Sequence, residues 1–541
     1  MNQPFLFVGS RCELLAKKRS PASLYPNTIP DIPPTRAAEE TSNGTRMPGG
    51  RPSRSSLDES MTSATALSPL SMSRNTATSA TPLVLPAVQD GYTAALVTSV
   101  GLVCLNSIQY GFHMSELNAP EELIKHALGL DSSQVGLLTS IFSIGGLIAS
   151  TFAGQISSRL GLRSSFLVTA VYFTIGSYLE YSAQTYVWML FGRFVSGLGA
   201  GCALVFVPLY INEIAPVSLR GVLGSMNQVS INVGILLTQV LAIRWATELH
   251  WRLILGSGAV LAALTLLLSL LLLEESPKWL ILNQGNEIRG LRILNRLRGN
   301  NALQCAQEVQ TWKEEKRKHA QLIESNPSLK KLSFYTYLTN ANYRNSRLVS
   351  TVLMVGQQLA GINSIVFYGV KILTGLFPAH AVAINCLISL GNMLITFAAS
   401  LFLDRVGRKP MLLTSVAIMG AASASLSLGI ISGNSALTLL GVFVYVGSFA
   451  IGCGPIPFLI ISEFSQVEIK DLAQSWGTDC NWISCFAVGF LFPILNSSIG
   501  GYTFLLFAAV CAAFYAFIYK AVPETKGKST YAEVWDIRGD R

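Results

Sequence analysis

The side chains in this sequence best able to do chemistry are its cysteines and its isolated charges, and the arrangement of both narrows the options. Nine cysteines (Cys12, Cys104, Cys202, Cys305, Cys386, Cys453, Cys480, Cys485 and Cys511) are scattered with no CxxC pair. Neither a disulfide framework nor a zinc site is expected. No nucleophile stands beside a base and no metal-spaced cluster is visible, so the reading is of a non-enzyme without a cofactor. The charges instead recur in register. Arg159-Leu160-Gly161-Leu162-Arg163 is echoed by Arg405-Val406-Gly407-Arg408-Lys409 at an offset of 246, and Asn212-Glu213-Ile214 by Ser462-Glu463-Phe464 at an offset of 250. Glu275-Ser276-Pro277-Lys278 is echoed by Glu524-Thr525-Lys526 at about the same offset. One RxGxR is a weak signal; three pairs in register mean a duplicated chain. Arg193 stands apart, alone in an otherwise uncharged stretch, and an ionisable residue inside an apolar span is functional by default.

The elements that must position these residues are membrane helices. The 541 residues are 50% hydrophobic and 13% charged, against roughly a quarter charged in soluble domains, and the mean hydropathy is +0.45. The net charge of +9 fits cationic loops facing the cytoplasm, with no need of a nucleic-acid partner. Residues 1–90 are rich in Ser, Thr, Pro and Arg without helical period, and are expected to be a disordered cytoplasmic tail. Met1–Ser10 is too short an apolar stretch for a signal peptide, and scattered acids argue against a transit peptide.

From Gly91 onward uncharged runs take over, each span needing roughly 20 apolar residues. Gly91–Phe112, Ser132–Ser158, Ser164–Leu179, Tyr186–Asn212, Gly221–Ile243, Leu253–Leu273 and Leu348–Val370 supply one each. Ile372–Leu403 holds a loop near Phe377–His380 and then one helix; Met411–Ser462 breaks at Ser432–Ser435 and Trp482–Tyr519 at Asn496–Gly501, giving two each. The expected fold is therefore all-α: twelve transmembrane helices in two six-helix halves, residues 91–274 and 348–520. Lys and Arg crowd the loops after the even-numbered spans, which places both termini, including the tail of residues 521–541, in the cytoplasm. The sequon at Asn43 is then cytoplasmic, and the one at Asn496 faces outward close to the membrane. Residues 275–347 carry Ile288, Leu291, Ile293, Leu294 and Leu297 at helical spacing, so three or four amphipathic helices are expected under the bilayer. Parallel halves suit a carrier that rocks about a site at the membrane midplane.

Several stretches resemble the signatures of the sugar porter family of the major facilitator superfamily. They are Pro208-Leu209-Tyr210-Ile211-Asn212-Glu213-Ile214-Ala215-Pro216 with Leu219-Arg220-Gly221, Glu275-Ser276-Pro277-Lys278-Trp279-Leu280, Gln357-Gln358-Leu359-Ala360-Gly361-Ile362-Asn363 and Pro523-Glu524-Thr525-Lys526-Gly527. Leu117-Asn118-Ala119-Pro120 closes the first span as in the glucose-transporter type. The resemblance runs from about Gly91 to Gly527 and implies the major facilitator fold and carriage of a small neutral sugar or polyol by alternating access, with a single chain in the lipid bilayer as the transport unit.

It also implies site residues: Gln228, Gln357, Gln358, Asn363, Asn392, Asn481 and Trp482, with Phe458 as a further aromatic face. Amides suit a neutral polyol because they both donate and accept without adding charge. On an ideal helix Asn363 would point about 140° away from Gln358, so a break near Gly361 is expected to bring them together. The charges Arg159, Arg163, Glu213 and Arg220, with Asp404, Arg405, Arg408, Glu463 and Lys470, are implied to latch the halves on the cytoplasmic face. Ser158, Leu162, Ala450 and Phe458 depart from the family pattern, the last two where glucose-selective members carry Glu and Trp. His113 stands where proton-coupled members carry an Asp facing Arg193, and a fixed cation beside it disfavours a proton there unless Glu116 compensates. Facilitative uniport is the leading expectation; proton symport and a non-transporting nutrient sensor are the alternatives. The membrane is expected to be plasma, vacuolar or endosomal.

Overall fold

The computed structural model describes residues 91–325, 334–528 and 531–536. The expected disordered tail, with Cys12 and the sequon at Asn43, lies outside the described residues. Every regular element described is helical. The first bundle holds α1 (Ala94–Ser115), the short α2 (Glu121–Leu128), α3 (Ser132–Leu160), α4 (Leu162–Ser182), α5 (Tyr186–Ile214), α6 (Arg220–Trp245) and α7 (Trp251–Leu272). Between the bundles the described residues form α8 (Pro277–Leu282), α9 (Glu287–Leu297), α10 (Ala302–Ser325) and α11 (Phe334–Thr339). The second bundle holds α12 (Arg344–Leu359), α13 (Ile362–Thr374), α14 (Ala381–Val406), α15 (Arg408–Ser432), α16 (Ser435–Ser448), α17 (Ile456–Phe464), α18 (Lys470–Ile499) and α19 (Tyr502–Ala521), and α20 (Tyr531–Val534) follows.

Among the described residues, eleven spans are long and apolar enough to cross a membrane, α12 with α13 forming one interrupted span and α16 with α17 another. The twelfth is α4, whose Ser165, Thr169, Ser177 and Glu180 lower its hydropathy yet are buried within the protein. Ser165 and Thr169 return their hydroxyls to carbonyls of their own helix, those of Gly161 at 2.7 Å and Ser165 at 2.9 Å. The polar groups of α4 thus cost little in the bundle, where α5 and α7 cover them. The two bundles meet along α3 against α18, α6 against α14 and α1 against α13.

The sequence repeat has a structural cause. Glu275 accepts the backbone N–H groups of Leu162 and Arg163 at 2.8 and 3.1 Å, and Glu524 accepts those of Arg408 and Lys409 at 3.1 and 3.0 Å. Each carboxylate satisfies N–H groups that the first turn of a helix leaves without partners, at the positive end of the helix dipole. Gly161 (φ +83°) and Gly407 (φ +108°) make the preceding turns, and a Cβ at Gly161 would collide with Glu275.

The amphipathic helices between the bundles are present, with one face reassigned. Ile293, Leu294 and Leu297 of α9 are buried, but Ile288 points outward with 79% of its surface exposed. This layer is tied to the first bundle, Arg298 donating to the Ile214 carbonyl at 2.7 Å and Thr93 to that of Leu297 at 3.0 Å.

Candidate functional site

Two helix interruptions face each other in the second bundle. At Gly361 φ is +100°, a left-handed conformation that only glycine adopts without strain, and it separates α12 from α13. The carbonyl of Ala360 freed there accepts the Tyr445 hydroxyl at 2.6 Å. Between α16 and α17 the chain makes a π turn over Phe449–Cys453 before Pro455, which has no N–H to continue a ladder. Ser415 of α15 holds this turn, accepting the Cys453 N–H at 2.9 Å and donating to the Ser448 carbonyl at 2.6 Å.

The amides are strung between the two interruptions. Gln357 donates to the carbonyls of Cys453 and Gly454 at 2.7 and 3.0 Å, and its own oxygen accepts from Asn481 at 2.7 Å. Asn481 accepts from Gln358 at 3.1 Å, and Gln358 accepts from Asn363 at 2.5 Å. Asn363 also donates to Cys485 Sγ at 3.0 Å. The break at Gly361 therefore does bring Asn363 to Gln358. The result is a neutral chain of donors and acceptors running from α12 to α18.

The other expected site residues lie apart from this chain. Trp482 is buried with Tyr110 and Phe142, ring centroids 5.8 and 6.1 Å away, and its indole N–H has no partner among the described residues. Asn392 of α14 donates to Asn232 at 3.4 Å and has an unpartnered buried oxygen, beside a small cavity shared with Asn118, Asn385 and Ser389. Gln228 and Phe458 are half-buried, and neither bonds to the amide chain.

A second polar cluster lies inside the first bundle, wholly buried. Arg193 donates to Glu116 at 2.6 Å and to the His113 carbonyl at 2.7 Å, with Glu180 3.9 Å away. The His113 ring bonds to Glu116 at 2.8 Å and Ser177 at 3.1 Å, and Ser196 donates to Glu180 at 2.7 Å. Arg193 therefore takes its carboxylate from Glu116, one turn beyond His113. Glu180 was not anticipated; its signal was a single acid at the end of an uncharged run. Potential ligand atoms of His113, Glu116 and Glu180 lie within 4.8 Å of one another, and Arg193 already supplies a positive charge there, 2.6 Å from Glu116.

The expected charge latch is unequal between the bundles. Arg408 pairs with Glu463 at 3.0 Å, and Thr525 donates to the other oxygen of Glu463 at 2.5 Å. In the first bundle Leu162 occupies the place of Arg408, and one buried oxygen of Glu213 has no partner among the described residues. Arg163 turns to the Leu270 carbonyl at 2.8 Å and Arg220 to that of Ala215 at 3.3 Å, while Arg159 and Arg405 are exposed and Lys470 opens α18. The Asp404 side chain lies outside the described residues. Among the described residues, the ion pairs crossing between bundles lie on the opposite face, where Lys371 meets Glu121 at 2.7 Å and Glu122 at 3.1 Å.

Comparison with known proteins agrees with this architecture. A family model described as "Sugar (and other) transporter" matches residues 80–535. The "Probable metabolite transport protein YBR241C" of Saccharomyces cerevisiae is 42% identical over 467 residues, covering 82% of this chain and 95% of its own length. The "Solute carrier family 2, facilitated glucose transporter member 3" of Gallus gallus is 32% identical over 463 residues, covering 81% and 90%. The inward open conformation of the xylose transporter XylE from E. coli shares the fold, with a TM-score of 0.68 at 23% identity over 82% of this chain and 99% of that one.

Proposed function

The chain belongs to the sugar transporter family of the major facilitator superfamily, and from that premise we propose that it carries a neutral hexose or related polyol down its gradient by alternating access, as a facilitative uniporter. The family is one of membrane transporters, and the cycle proposed contains no chemical step. The observation that carries the reading is the amide chain Gln357–Asn481–Gln358–Asn363. Without sugar these amides satisfy one another. A sugar hydroxyl, both donor and acceptor, can enter by exchanging one inter-amide bond for two of its own, so binding does not leave a buried group unpaired. Neither of the two interruptions flanking the chain relies on a continuous helical ladder, so α13 and the π turn can tilt while the bundles stay rigid. The transport unit is one chain with both termini in the cytoplasm. With Ala450 in the π turn and Phe458 in α17, in place of Glu and Trp, discrimination among hexoses is weak.

A second reading, proton-coupled symport, is favoured by one observation: Glu116 supplies the carboxylate opposite Arg193, with Glu180 as a second acid beside them. Two carboxylates against one guanidinium leave room for one proton. Liposomes containing the pure protein separate the two. Under uniport, labelled sugar fills them to the outside concentration and stops, with or without a pH gradient. Accumulation under an inward proton gradient, abolished by an uncoupler and by Glu116→Gln, decides for symport. Absence of counterflow for every sugar and polyol in a broad panel overturns sugar transport itself.

A further inference from the structure

We propose that Asn385, Ser389 and Asn392 of α14 form a second hydroxyl-binding site, behind α13, where the sugar docks from the outside before it reaches the amide chain. The inference rests on the sugar-transport reading and on the orientation given with it.

Asn385, Ser389, Asn392 and Thr396 follow one another at spacings of four, three and four residues, which at ~100° per residue puts them on one face of α14. That face is buried between the bundles, none of the four being more than 8% exposed. Thr396 accepts from Asn232 of α6 at 2.8 Å, which closes the stripe on its inner side. Asn118 closes its outer end with its amide fully engaged, accepting from the Val370 N–H and donating to the Ile365 and Val366 carbonyls. Between these closures lies a cavity of about 20 Å³, and Asn118, Asn385, Ser389 and Asn392 supply its polar lining.

Two amides face this cavity with capacity to spare. The Asn392 oxygen is buried without a partner among the described residues, and its amide N–H reaches Asn232 only at 3.4 Å. The Asn385 side chain makes no hydrogen bond among the described residues; the Ser389 hydroxyl goes to its backbone carbonyl instead, at 3.0 Å. Buried amides left unpaired cost free energy, so packing alone does not account for this pair. A sugar hydroxyl, donor and acceptor at once, satisfies both. The void holds about one water-sized group, so a sugar ring enters only when its cover moves. That cover is α13. Ile362, Ile365 and Val366 turn to the cavity while Asn363 turns to Gln358, so the helix stands between the pocket and the amide chain. Gly369 lies directly on Asn385, where an added Cβ would stand 2.5 Å from the amide oxygen. Helical geometry lapses at the neighbouring Tyr368 (φ −131°, ψ 16°), and Val370 and Lys371 just beyond it carry the outer ties. Parting those ties lifts the segment that covers the pocket and opens it to the outside. The pocket also accounts for Asn392 standing apart from the amide chain.

The test is initial uptake by proteoliposomes holding the full chain. The probes are D-glucose, D-galactose or D-fructose, whichever wild type takes up fastest, and the single-deoxy analogues of that hexose. Asn385→Leu, close in size but without hydrogen-bonding groups, should lower uptake at low sugar concentration roughly five- to ten-fold, the loss of one hydroxyl contact. One analogue should escape: that lacking the hydroxyl bound by Asn385 is expected to enter wild type and variant equally. Equilibrium binding of the parent hexose should match wild type, because the amide chain is untouched. A uniform fall across all analogues makes Asn385 a packing residue, no fall denies it any contact, and a parallel loss of equilibrium affinity moves it into the amide site; each overturns the inference. If Asn385→Leu lowers abundance, Asn385→Ala is read by the same comparison. Failure of wild type to take up any hexose overturns the underlying reading instead.

Discussion

Gln358 is the middle link of the amide chain, giving to Asn481 and taking from Asn363. Gln358→Ala therefore leaves an acceptor and a donor unpaired in a buried site and removes a contact for the substrate. Losing such a bond costs about 1–3 kcal/mol, or roughly 5–150-fold in affinity. The expected outcome is normal abundance with sugar affinity reduced by that factor, read by equilibrium binding or counterflow. Tight binding by a normally abundant Gln358→Ala protein would assign these amides to helix packing alone. At this scale the sequence was readable where residues sit within one motif. Gln357, Gln358 and Asn363 stand in seven consecutive residues, and one backbone break unites them. Glu180 was not readable, because its partner Arg193 is on another helix and the expected span ended at Leu179, one residue short of it.

At the scale of elements, the interrupted span α12–α13 depends on one backbone angle. Alanine at Gly361 would have to hold φ near +100°, and its Cβ would stand 2.5 Å from the Phe507 ring. The left-handed conformation alone costs an L residue roughly 1–2 kcal/mol. Gly361→Ala is expected to lower the melting temperature and to slow transport, because Asn363 is turned away from Gln358. Gly375→Ala is the control: that glycine ends α13 in right-handed geometry with nothing within 4 Å of an added Cβ, and it should be neutral in both assays. The break at Gly361 was legible because a continuous helix could not unite residues five apart. The interruption between α16 and α17 was not, although Gly452, Gly454, Pro455 and Pro457 mark it. Hydropathy counts apolar side chains and is blind to the backbone ladder. The α4 span shows the converse: its inward hydroxyls and Glu180 weaken the apolar signal, yet the helix is packed on both sides by the bundle.

For the whole molecule, the decisive asymmetry is between its two faces. On the face opposite the termini, Asn118 accepts the Val370 N–H at 2.9 Å and donates to the Val366 carbonyl at 2.8 Å, while Lys371 joins Glu121 and Glu122. The α1–α2 turn, α2 and α13 are thereby tied across the bundles; under the orientation proposed above, with both termini in the cytoplasm, this is a carrier closed to the outside. Alternating access requires these ties to part. Their charges respond unequally to acid. Burial pushes the Glu121 carboxyl above its ordinary pKa, with Lys371 only partly opposing it. Partial burial also acts on Glu122, but Lys371 and Lys125 outweigh it and hold that carboxyl below its ordinary value. As outside pH falls, Glu121 protonates first and its bond to Lys371 is lost. Because its folded pKa is raised, that protonation does not destabilise the fold. Glu122 gives a stabilising contribution that is present above the ordinary carboxylate range and is lost only as pH falls through its lower folded value. It can therefore keep Lys371 tied in mild acid. The readout is labelling, from the outer face, of a cysteine introduced at Ser389, which is buried beside Asn118 in this closed arrangement. Lys371→Met should raise labelling at neutral pH about two- to five-fold, the scale of a partly exposed ion pair. Wild type should change little between neutral and mildly acid pH, whereas Glu122→Gln should approach the Lys371→Met level once Glu121 is protonated. Equal labelling of wild type and Lys371→Met at neutral pH would show that Asn118 alone closes the outer face.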